Sequence, residues 1–265
     1  MPHAPCRQNP FARGFGIANG QASAPVHILG EDRPGPWVVS CDHATPRVPS
    51  EVAGGDLGLP PEDMARHIAY DVGAAGVTRA LGDLLNAPAI LSDFSRLVID
   101  PNRGEDDPTL LMRLYDGSII PANRHADAAE KKRRLDLLYR PYHDALGALM
   151  ARPGAILLAV HSFTPRLNGR GTRPWHVGVL SAADRRLAGP LLARLRAEPD
   201  LCVGDNEPYS GHLPGDSVDR HALRHGRANA LIELRNDLIA TAKDQNRWAA
   251  RLAPILEAAR ADANL

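Results

Sequence analysis

Short apolar runs alternate with segments of helical spacing along most of the chain, and this alternation constrains the fold more than any other feature of the sequence. Strands that are separated by helices are typical of a sheet with helices on its faces. We therefore predict an α/β fold. The runs that we interpret as strands are 37–40, 88–91, 96–100, 155–160, 176–181, 201–203 and 230–234.

Four segments have the spacing of helices with one buried face. The first is predicted to open at Pro61, because proline is pre-organised for the first helical turn, and to continue through Ala75. The second is kinked or split at Pro141, since proline interrupts a helix interior. This second segment is 127–151, and the remaining two are 182–197 and 239–261.

Composition excludes several classes of protein. Lys plus Arg and Asp plus Glu both number 31, and a nucleic-acid binder needs a basic excess, so no nucleic-acid partner is expected. No apolar run approaches the ~20 residues that span a membrane. The cysteines Cys6, Cys41 and Cys202 have neither disulfide nor metal-site spacing, which favours a reducing, cytoplasmic location.

The proline-rich start of the chain offers no periodicity to bury and has no apolar signal region. We interpret residues 1–24 as a flexible N-terminal arm and 25–265 as a single catalytic domain. The sequence leaves the oligomeric state open. Residues 101–125 form a polar, turn-rich connection that is long for a compact domain, and such loops are often functional.

Three predicted strands end in side chains capable of chemistry, and open α/β sheets bind ligands at the carboxyl ends of strands. His43 follows the first strand, His161 follows the strand 155–160, and Glu233 lies in the last strand. Two histidines and a carboxylate, with one position left for water, form the first shell of a catalytic zinc site. A further unligated glutamate can then act as general base.

Each of these residues has a plainer interpretation. A histidine at a strand end is often only hydrogen-bonded, and Asp71 lies four residues after His67, as in a local helical pair. Glu233 is costly to bury without a partner, and a pairing with Arg235 is its plainer interpretation. Arg103 can grip a substrate carboxylate or pair with Glu105 or Asp106 on the surface.

Other catalytic classes lack their signatures. The sequence contains no G-x-S-x-G, no G-x-x-x-x-G-K-[ST], no G-x-G-x-x-G and no H-E-x-x-H. Ser162 and Cys41 are the remaining candidate nucleophiles, and neither lies in a motif that supports the role.

Seven segments of the chain, in order, have a familiar pattern, including Ser-Cys-Asp-His-Ala and His-Ser-Phe-Thr-Pro: 40–44, 67–74, 95–103, 161–165, 174–180, 204–211 and 232–238. Through them the chain resembles the N-formylglutamate amidohydrolase family from about Trp37 onward. This resemblance implies a branch of the zinc-dependent exopeptidase fold: three layers, with a mixed, mostly parallel sheet flanked by helices.

The resemblance also implies residue roles. His43 and His161 resemble zinc ligands, and Glu233, in Ile-Glu-Leu-Arg, resembles the general base of zinc carboxypeptidases. Asn102 and Arg103 resemble their carboxylate-binding pair. Tyr209 resembles a mobile tyrosine that closes over the substrate.

One position departs from the carboxypeptidase pattern. Those enzymes have a glutamate ligand three residues after the first histidine, where this chain has Pro46. The third ligand must therefore come from elsewhere. We choose Asp71, with Asp42 and His67 as alternatives.

Together these expectations describe a zinc-dependent hydrolase that cleaves the amide bond of a small-molecule N-acyl amino acid such as N-formylglutamate. Arg103 and Arg96 would hold the substrate carboxylate, and Arg173 or Asn206 would contact the acyl side. The alternatives are a related acyl-amino-acid amidase, a carboxypeptidase-like peptidase, or a metal-binding protein without turnover.

Overall fold

The computed structural model of the protein describes residues 24–211 and 213–265, so all of the predicted N-terminal arm except Ala24 lies outside the described residues. Its strands are β1 Val26–Leu29, β2 Trp37–Cys41, β3 Ala89–Ser92, β4 Leu114–Tyr115, β5 Ser118–Ile119, β6 Ile156–Phe163, β7 Val177–Leu180, β8 Val203–Asp205 and β9 Asn229–Arg235.

Seven of these strands form one sheet in the order β1-β3-β2-β6-β9-β7-β8, and β4 and β5 form a separate small hairpin. The four central strands β3, β2, β6 and β9 run parallel to one another, while β1 and β7 join them antiparallel. The central strands are almost fully buried, as expected of parallel strands covered on both faces.

Helices cover both faces of the sheet. They are α1 Pro61–Met64, α2 Ala74–Leu84, α3 Ala128–Arg134, α4 Arg140–Met150, α5 Ala188–Arg196, α6 Ser217–His221 and α7 Ala242–Asp262. On one face α2, α5 and α7 pack around a core that includes Trp37, Leu191 and Trp248. On the other face α4 and the loops around it bury Tyr142 and Leu146 against the sheet. This confirms the predicted three-layer α/β fold with a mixed, mostly parallel sheet.

The predicted helix from Pro61 through Ala75 is wrong, because it ends after one turn and a new helix begins at Ala74. Backbone groups between the two bond to distant partners instead of to a helix: the Asp71 N–H donates to the His43 carbonyl (2.9 Å), and the Ser162 hydroxyl donates to the Val72 carbonyl (2.8 Å). Gly73 has φ 84°, a conformation that favours glycine and ends this segment.

The predicted strand 96–100 is also wrong. Its apolar residues are buried as the pattern indicates, but side chains satisfy its backbone in place of a neighbouring strand. Arg134 donates to the Val98 carbonyl (2.7 Å), and Asn123 donates to the Leu97 carbonyl (2.7 Å). Burial of an apolar run therefore does not require a strand when polar side chains reach its carbonyls.

The other predicted elements are present with shifted ends. The helical region around Pro141 is divided by a π-helical segment, Leu135–Tyr139, directly before α4. β6 continues through His161 to Phe163, and β8 begins at Val203 instead of residue 201. Within the described residues, no helix is both long and apolar enough to cross a membrane.

Candidate metal centre

The side chains predicted to perform chemistry meet at the carboxyl ends of the parallel strands. Asp42 and His43 directly follow β2, while His161 and Glu233 lie near the ends of β6 and β9. His161 and Glu233 are paired in register across these two strands, so their side chains leave the sheet on the same face.

His43, Asp71 and His161 form a buried cluster whose ligand atoms all lie within 4.8 Å of one another. Asp71 Oδ2 is 3.2 Å from Nδ1 of His43 and 2.8 Å from Nδ1 of His161. The turn before α2 places Asp71 there, since its backbone N–H is bound to the His43 carbonyl. A continuous helix through this segment would not provide that contact.

The outer nitrogen of each histidine faces a second carboxylate. His43 Nε2 lies 2.7 Å from Asp100 Oδ1, and His161 Nε2 lies 3.3 Å from Asp42 Oδ2. A carboxylate accepts hydrogen bonds and does not donate them, so with a cation on the Nδ1 side each ring would carry its proton on Nε2. In a neutral imidazole, Nδ1 then carries the lone pair, and both lone pairs point at Asp71.

This arrangement fits a divalent cation. A neutral imidazole has one N–H and cannot donate to carboxylates on both sides of its ring. A cation between Nδ1 and Asp71 would satisfy the Nδ1 side, which otherwise requires a second ring proton. The donors are two imidazole nitrogens and one carboxylate, and imidazoles backed by carboxylates are usual around metals. Several carboxylates are buried in and around this cluster, among them Asp42, Asp71, Asp100 and Glu233, whereas the buried Arg96 guanidinium pairs with only two of them, Asp71 and Asp100, among the described residues.

The electrostatics follow from this excess of carboxylates. Burial opposes ionisation of Asp42, but His161 and Tyr142 lower its pKa to about 2. The pKa of Asp100 lies well below its usual value, because Arg96 and His43 outweigh burial. The pKa of His161 is raised well above its usual value, since Asp42 and Asp71 outweigh the effect of burial.

Glu233 lies beside the cluster without a partner. Its Oε2 is buried and makes no hydrogen bond within the described part of the chain. Burial raises the pKa of Glu233 to about 7; His161 opposes this shift, and Asp71 adds to it. The alternative pairing with Arg235 is absent, because that guanidinium pairs with Asp237 at 2.8 Å.

All eight predicted site residues line one cavity of about 280 Å³. Arg96 is buried in its wall and donates to Asp100 Oδ2 through Nε (3.0 Å) and Nη2 (2.7 Å). Arg103 does not pair with Glu105; it bonds Thr109 and the Asn102 carbonyl instead. The residues brought together are His43, Asp71, Arg96, Asn102, Arg103, His161, Tyr209 and Glu233.

The remaining candidates have other contacts. Tyr209 accepts from Arg173 at 3.1 Å and closes one side of the cavity. Asn206 Oδ1 accepts from the backbone N–H of Ser181 (2.9 Å) and that of Gly211 (3.1 Å), which makes it a loop-holding residue. His67 lines the cavity outside the ligand cluster, with Nε2 3.5 Å from an Asp116 carboxylate oxygen.

The two candidate nucleophiles do not face a reaction site in a reactive form. Cys41 is fully buried in the core, and burial raises the pKa of its thiol well above the usual value. The Ser162 hydroxyl donates to the Val72 carbonyl. Within the described chain, neither has the adjacent base that nucleophilic catalysis requires.

The sequence reasoning missed Asp100, Tyr142 and Ser217, which contact the outer parts of this site. Asp100 had a signal, because it ends the predicted strand 96–100 and lies within the segment 95–103 that carries the family resemblance. Tyr142 and Ser217 lie in helices whose patterns indicate only packing, and their hydroxyls meet Asp42 through the tertiary fold alone.

Fold and site together define a class: an α/β protein with a buried His/Asp/His cluster able to hold a metal beside an unpartnered glutamate. Comparison with known proteins makes the assignment specific. The family model for N-formylglutamate amidohydrolase matches residues 35–240, so the chain belongs to that family, as the sequence predicted.

Individual proteins are similar to this chain in sequence or in fold. The chain is 27% identical to the N-formylglutamate deformylase of Pseudomonas putida, over 70% of this chain and 74% of that protein. A gene product of Agrobacterium tumefaciens of known crystal structure is 32% identical, with a TM-score of 0.84 over 93% of this chain and 97% of its own. The N-formylglutamate amidohydrolase of Ralstonia eutropha shares the fold at 24% identity, with a TM-score of 0.65 over 88% of this chain and 98% of its own.

Proposed function

We propose that this protein is a zinc-dependent hydrolase that cleaves the amide bond of an N-acyl amino acid such as N-formylglutamate. The observation that carries the proposal is the His43, Asp71 and His161 cluster with the unpartnered Glu233 beside it in one cavity. Membership of the N-formylglutamate amidohydrolase family supports the substrate class.

His43 and His161 would hold the metal through Nδ1, and Asp71 through its carboxylate. Zinc supplies, when bound, a water of lowered pKa and a polarised acyl carbonyl. The protein residues fix the geometry: Asp100 and Asp42 orient the two rings, and the Ser162 N–H, 3.4 Å from Asp71 Oδ2, helps to hold the third ligand.

Glu233 would act as general base and then as general acid. Its carboxylate accepts a proton from the attacking water, whose oxygen forms a bond to the acyl carbon. The carbon–nitrogen bond then breaks, and Glu233 returns the proton to the leaving amine. The products are a free amino acid and a carboxylic acid, which is formate for a formyl substrate. A pKa raised to about 7 suits a group that both takes and gives a proton.

Asn102 and Arg103 would bind the carboxylate of the substrate. Arg103 is half-buried at the cavity and bonds only neutral groups, a hydroxyl and a backbone carbonyl, so its charge is available. Arg96 adds positive charge, but its donors already hold Asp100. Tyr209, held by Arg173 on the opposite loop, would cover the bound substrate.

We also propose a cytoplasmic location. Cys41 and Cys202 are both free, and Cys202 is exposed. An exposed free thiol is compatible with a reducing compartment.

The test is a substrate screen on protein of known metal content. The purified protein is loaded with Zn²⁺, dialysed and assayed with N-formyl, N-acetyl and N-succinyl derivatives of glutamate, aspartate and leucine. We expect about one metal per chain and the highest kcat/KM on an N-formyl amino acid with an acidic side chain. Faster turnover of peptides would favour the carboxypeptidase-like alternative. Tight metal binding with no hydrolysis of any substrate would favour the non-catalytic one.

A further inference from the structure

Behind His161, on the side away from the cluster, lies a buried group of polar side chains, of which the proposed function uses only Asp42. Asp42 is fully buried at its centre. Its Oδ1 accepts two hydrogen bonds, from the Tyr142 hydroxyl and from the Ser217 hydroxyl at 3.0 Å. Its Oδ2 faces His161 Nε2 at 3.3 Å.

The two hydroxyls come from separate elements that pack against the sheet. Tyr142 is in α4 and is fully buried, and Ser217 is the first residue of α6 and is fully buried as well. The Ser217 N–H also donates to Asn102 Oδ1 at 3.3 Å. A single residue therefore contacts both Asp42 and the Asn102 side chain that faces the substrate cavity.

The hydroxyls determine which part of Asp42 is free to meet the histidine. They occupy Oδ1, and this leaves Oδ2 directed at Nε2 of His161. Because hydroxyls are neutral, Asp42 keeps its full negative charge for this contact. An ionised carboxylate can only accept, so when a metal occupies the Nδ1 side, Asp42 favours the ring proton on Nε2 and the lone pair on Nδ1.

We propose that Tyr142 and Ser217 are positioning residues that hold Asp42, and through it the metal-binding tautomer and orientation of His161, and that Ser217 ties this orientation to Asn102. The proposal rests on the proposed function, because it takes His161 as a metal ligand. Nothing in the family pattern or in the sequence periodicity assigns either hydroxyl a role.

The experiment measures metal affinity on the full chain. Wild type, Tyr142→Phe, Ser217→Ala and the double variant are stripped of metal and titrated with Zn²⁺ against a chromophoric chelator, below the melting temperature of each. Outer contacts of metal-bound histidines are typically worth about 10–100-fold in affinity, so we expect losses of roughly that size, greatest in the double variant. Tyr139→Phe is the matched control, because its hydroxyl lies one turn away and donates to the Arg103 carbonyl; its Zn²⁺ affinity should equal that of wild type.

A second measurement separates positioning from general stability. The visible absorption spectrum of the Co²⁺-loaded protein reports the geometry of the ligands, and we expect it to change in Tyr142→Phe and Ser217→Ala but not in Tyr139→Phe. A lower melting temperature with unchanged Zn²⁺ affinity and unchanged Co²⁺ spectrum would overturn the proposal and leave the hydroxyls as structural groups.

Asp42→Asn keeps the test decisive if the hydroxyl variants fold poorly. An amide can donate to Nε2 and so shift the ring proton to Nδ1, where it blocks the metal. We expect the largest fold-loss of Zn²⁺ affinity in this variant, and wild-type affinity would overturn the proposal. If wild type itself binds no metal, both the proposed function and this proposal fail. If wild type binds metal and Tyr142→Phe, Ser217→Ala, the double variant and Asp42→Asn all bind it with the same affinity, this proposal alone fails.

Discussion

The two histidines of the metal centre are oriented by carboxylates that are themselves held in different ways. Asp100, behind His43, is bound by the Arg96 guanidinium and by the Asn102 N–H at 2.9 Å. Asp42, behind His161, is bound by two neutral hydroxyls. One carboxylate is therefore part of an ion pair, and the other keeps its charge for the histidine alone.

This difference indicates a division of labour within the site. A buried ion pair that loses one partner leaves an uncompensated charge, so the Asp100 side should contribute chiefly to stability. Asp42 has no guanidinium partner, and the charge of the His161 ring that it faces can be lost by deprotonation, so its removal should chiefly affect the metal. The raised pKa of His161 is consistent with an unneutralised carboxylate on each side of its ring.

Removing either histidine ligand should have the largest effect, and the effect should be the same for His43 and His161. His43→Ala or His161→Ala leaves one nitrogen donor and Asp71, too few for tight binding. We expect loss of nearly all bound metal and of all measurable hydrolysis, with near-UV and far-UV circular dichroism close to wild type. Metal analysis by mass spectrometry checks this, and full metal occupancy in both variants would exclude the cluster as the metal site.

Replacing Glu233 should affect turnover and leave both histidines in place. Glu233→Gln keeps the shape and removes the base, and general acid–base groups typically contribute about 10²–10⁴-fold, so kcat should fall by that order. Metal content should match the parent, since Glu233 is not a ligand in this scheme. The test measures kcat and metal content on the same preparation of Glu233→Gln. Glu62→Gln, at an exposed position, is the control. A metal-loaded Glu233→Gln with near-parental kcat would remove Glu233 from the mechanism.

Asp100→Asn should separate the two halves by stability. It leaves the Arg96 guanidinium buried with only Asp71, at 3.6 Å, for a charge partner. Breaking such a pair costs about 3–5 kcal/mol, which urea unfolding of metal-free protein would measure. Asp42→Asn should lose clearly less, because its amide oxygen can still accept from the two hydroxyls. The charge left beside it is that of His161, which can release its proton, whereas a guanidinium cannot. Equal losses in the two variants would remove the distinction drawn here.

The layers of the fold could be predicted from local patterns in the sequence, and so could three of the side chains that the structure brings together in the candidate site. Buried parallel strands appear as continuous apolar runs, and polar residues at their ends mark the ligand edge. We could identify His43, His161 and Glu233 as candidates in this way. Asp71 required the family resemblance, since its four-residue spacing from His67 equally describes an ordinary helix.

Contacts made across the fold could not be predicted from local patterns. The break of the first helix before Gly73 depends on tertiary acceptors and donors for its backbone, and the segment 96–100 is buried without a strand because Arg134 and Asn123 reach its carbonyls. The hydroxyls on Asp42 are a third example. Periodicity records which face of an element is buried, not which distant polar group it meets.

Arg103→Ala should have a smaller effect, confined to substrate binding. A hydrogen bond to a charged group is worth about 1.5–3 kcal/mol, so KM for an N-acyl amino acid should rise about 10–100-fold with kcat little changed. The corresponding amide, which lacks the carboxylate, should be affected much less. Arg113→Ala is the control, because it lies in the same loop and its guanidinium bonds the Ala126 carbonyl. Equal losses on both substrates would make Arg103 a structural residue.

The pH dependence of metal affinity gives the finest test of the comparison. The pKa of His161 is raised above its usual value by Asp42 and Asp71, against the effect of burial. Below that raised pKa a proton competes with the metal for Nδ1, so the apparent Zn²⁺ affinity should rise about tenfold per pH unit and level off above it. Asp42→Asn removes one of the charges that raise the pKa, so its plateau should begin at lower pH, whereas Asp100→Asn should leave the plateau of the His161 step in place. Chelator competition measured from about pH 5.5 to about pH 8.5, in steps of about half a pH unit, would detect a shift in the pH at which the plateau begins. If the plateau began at the same lowered pH in both variants, the two carboxylates would act on the metal centre in the same way. The difference between the ion-paired Asp100 and the hydroxyl-bonded Asp42 would then have no consequence for metal binding.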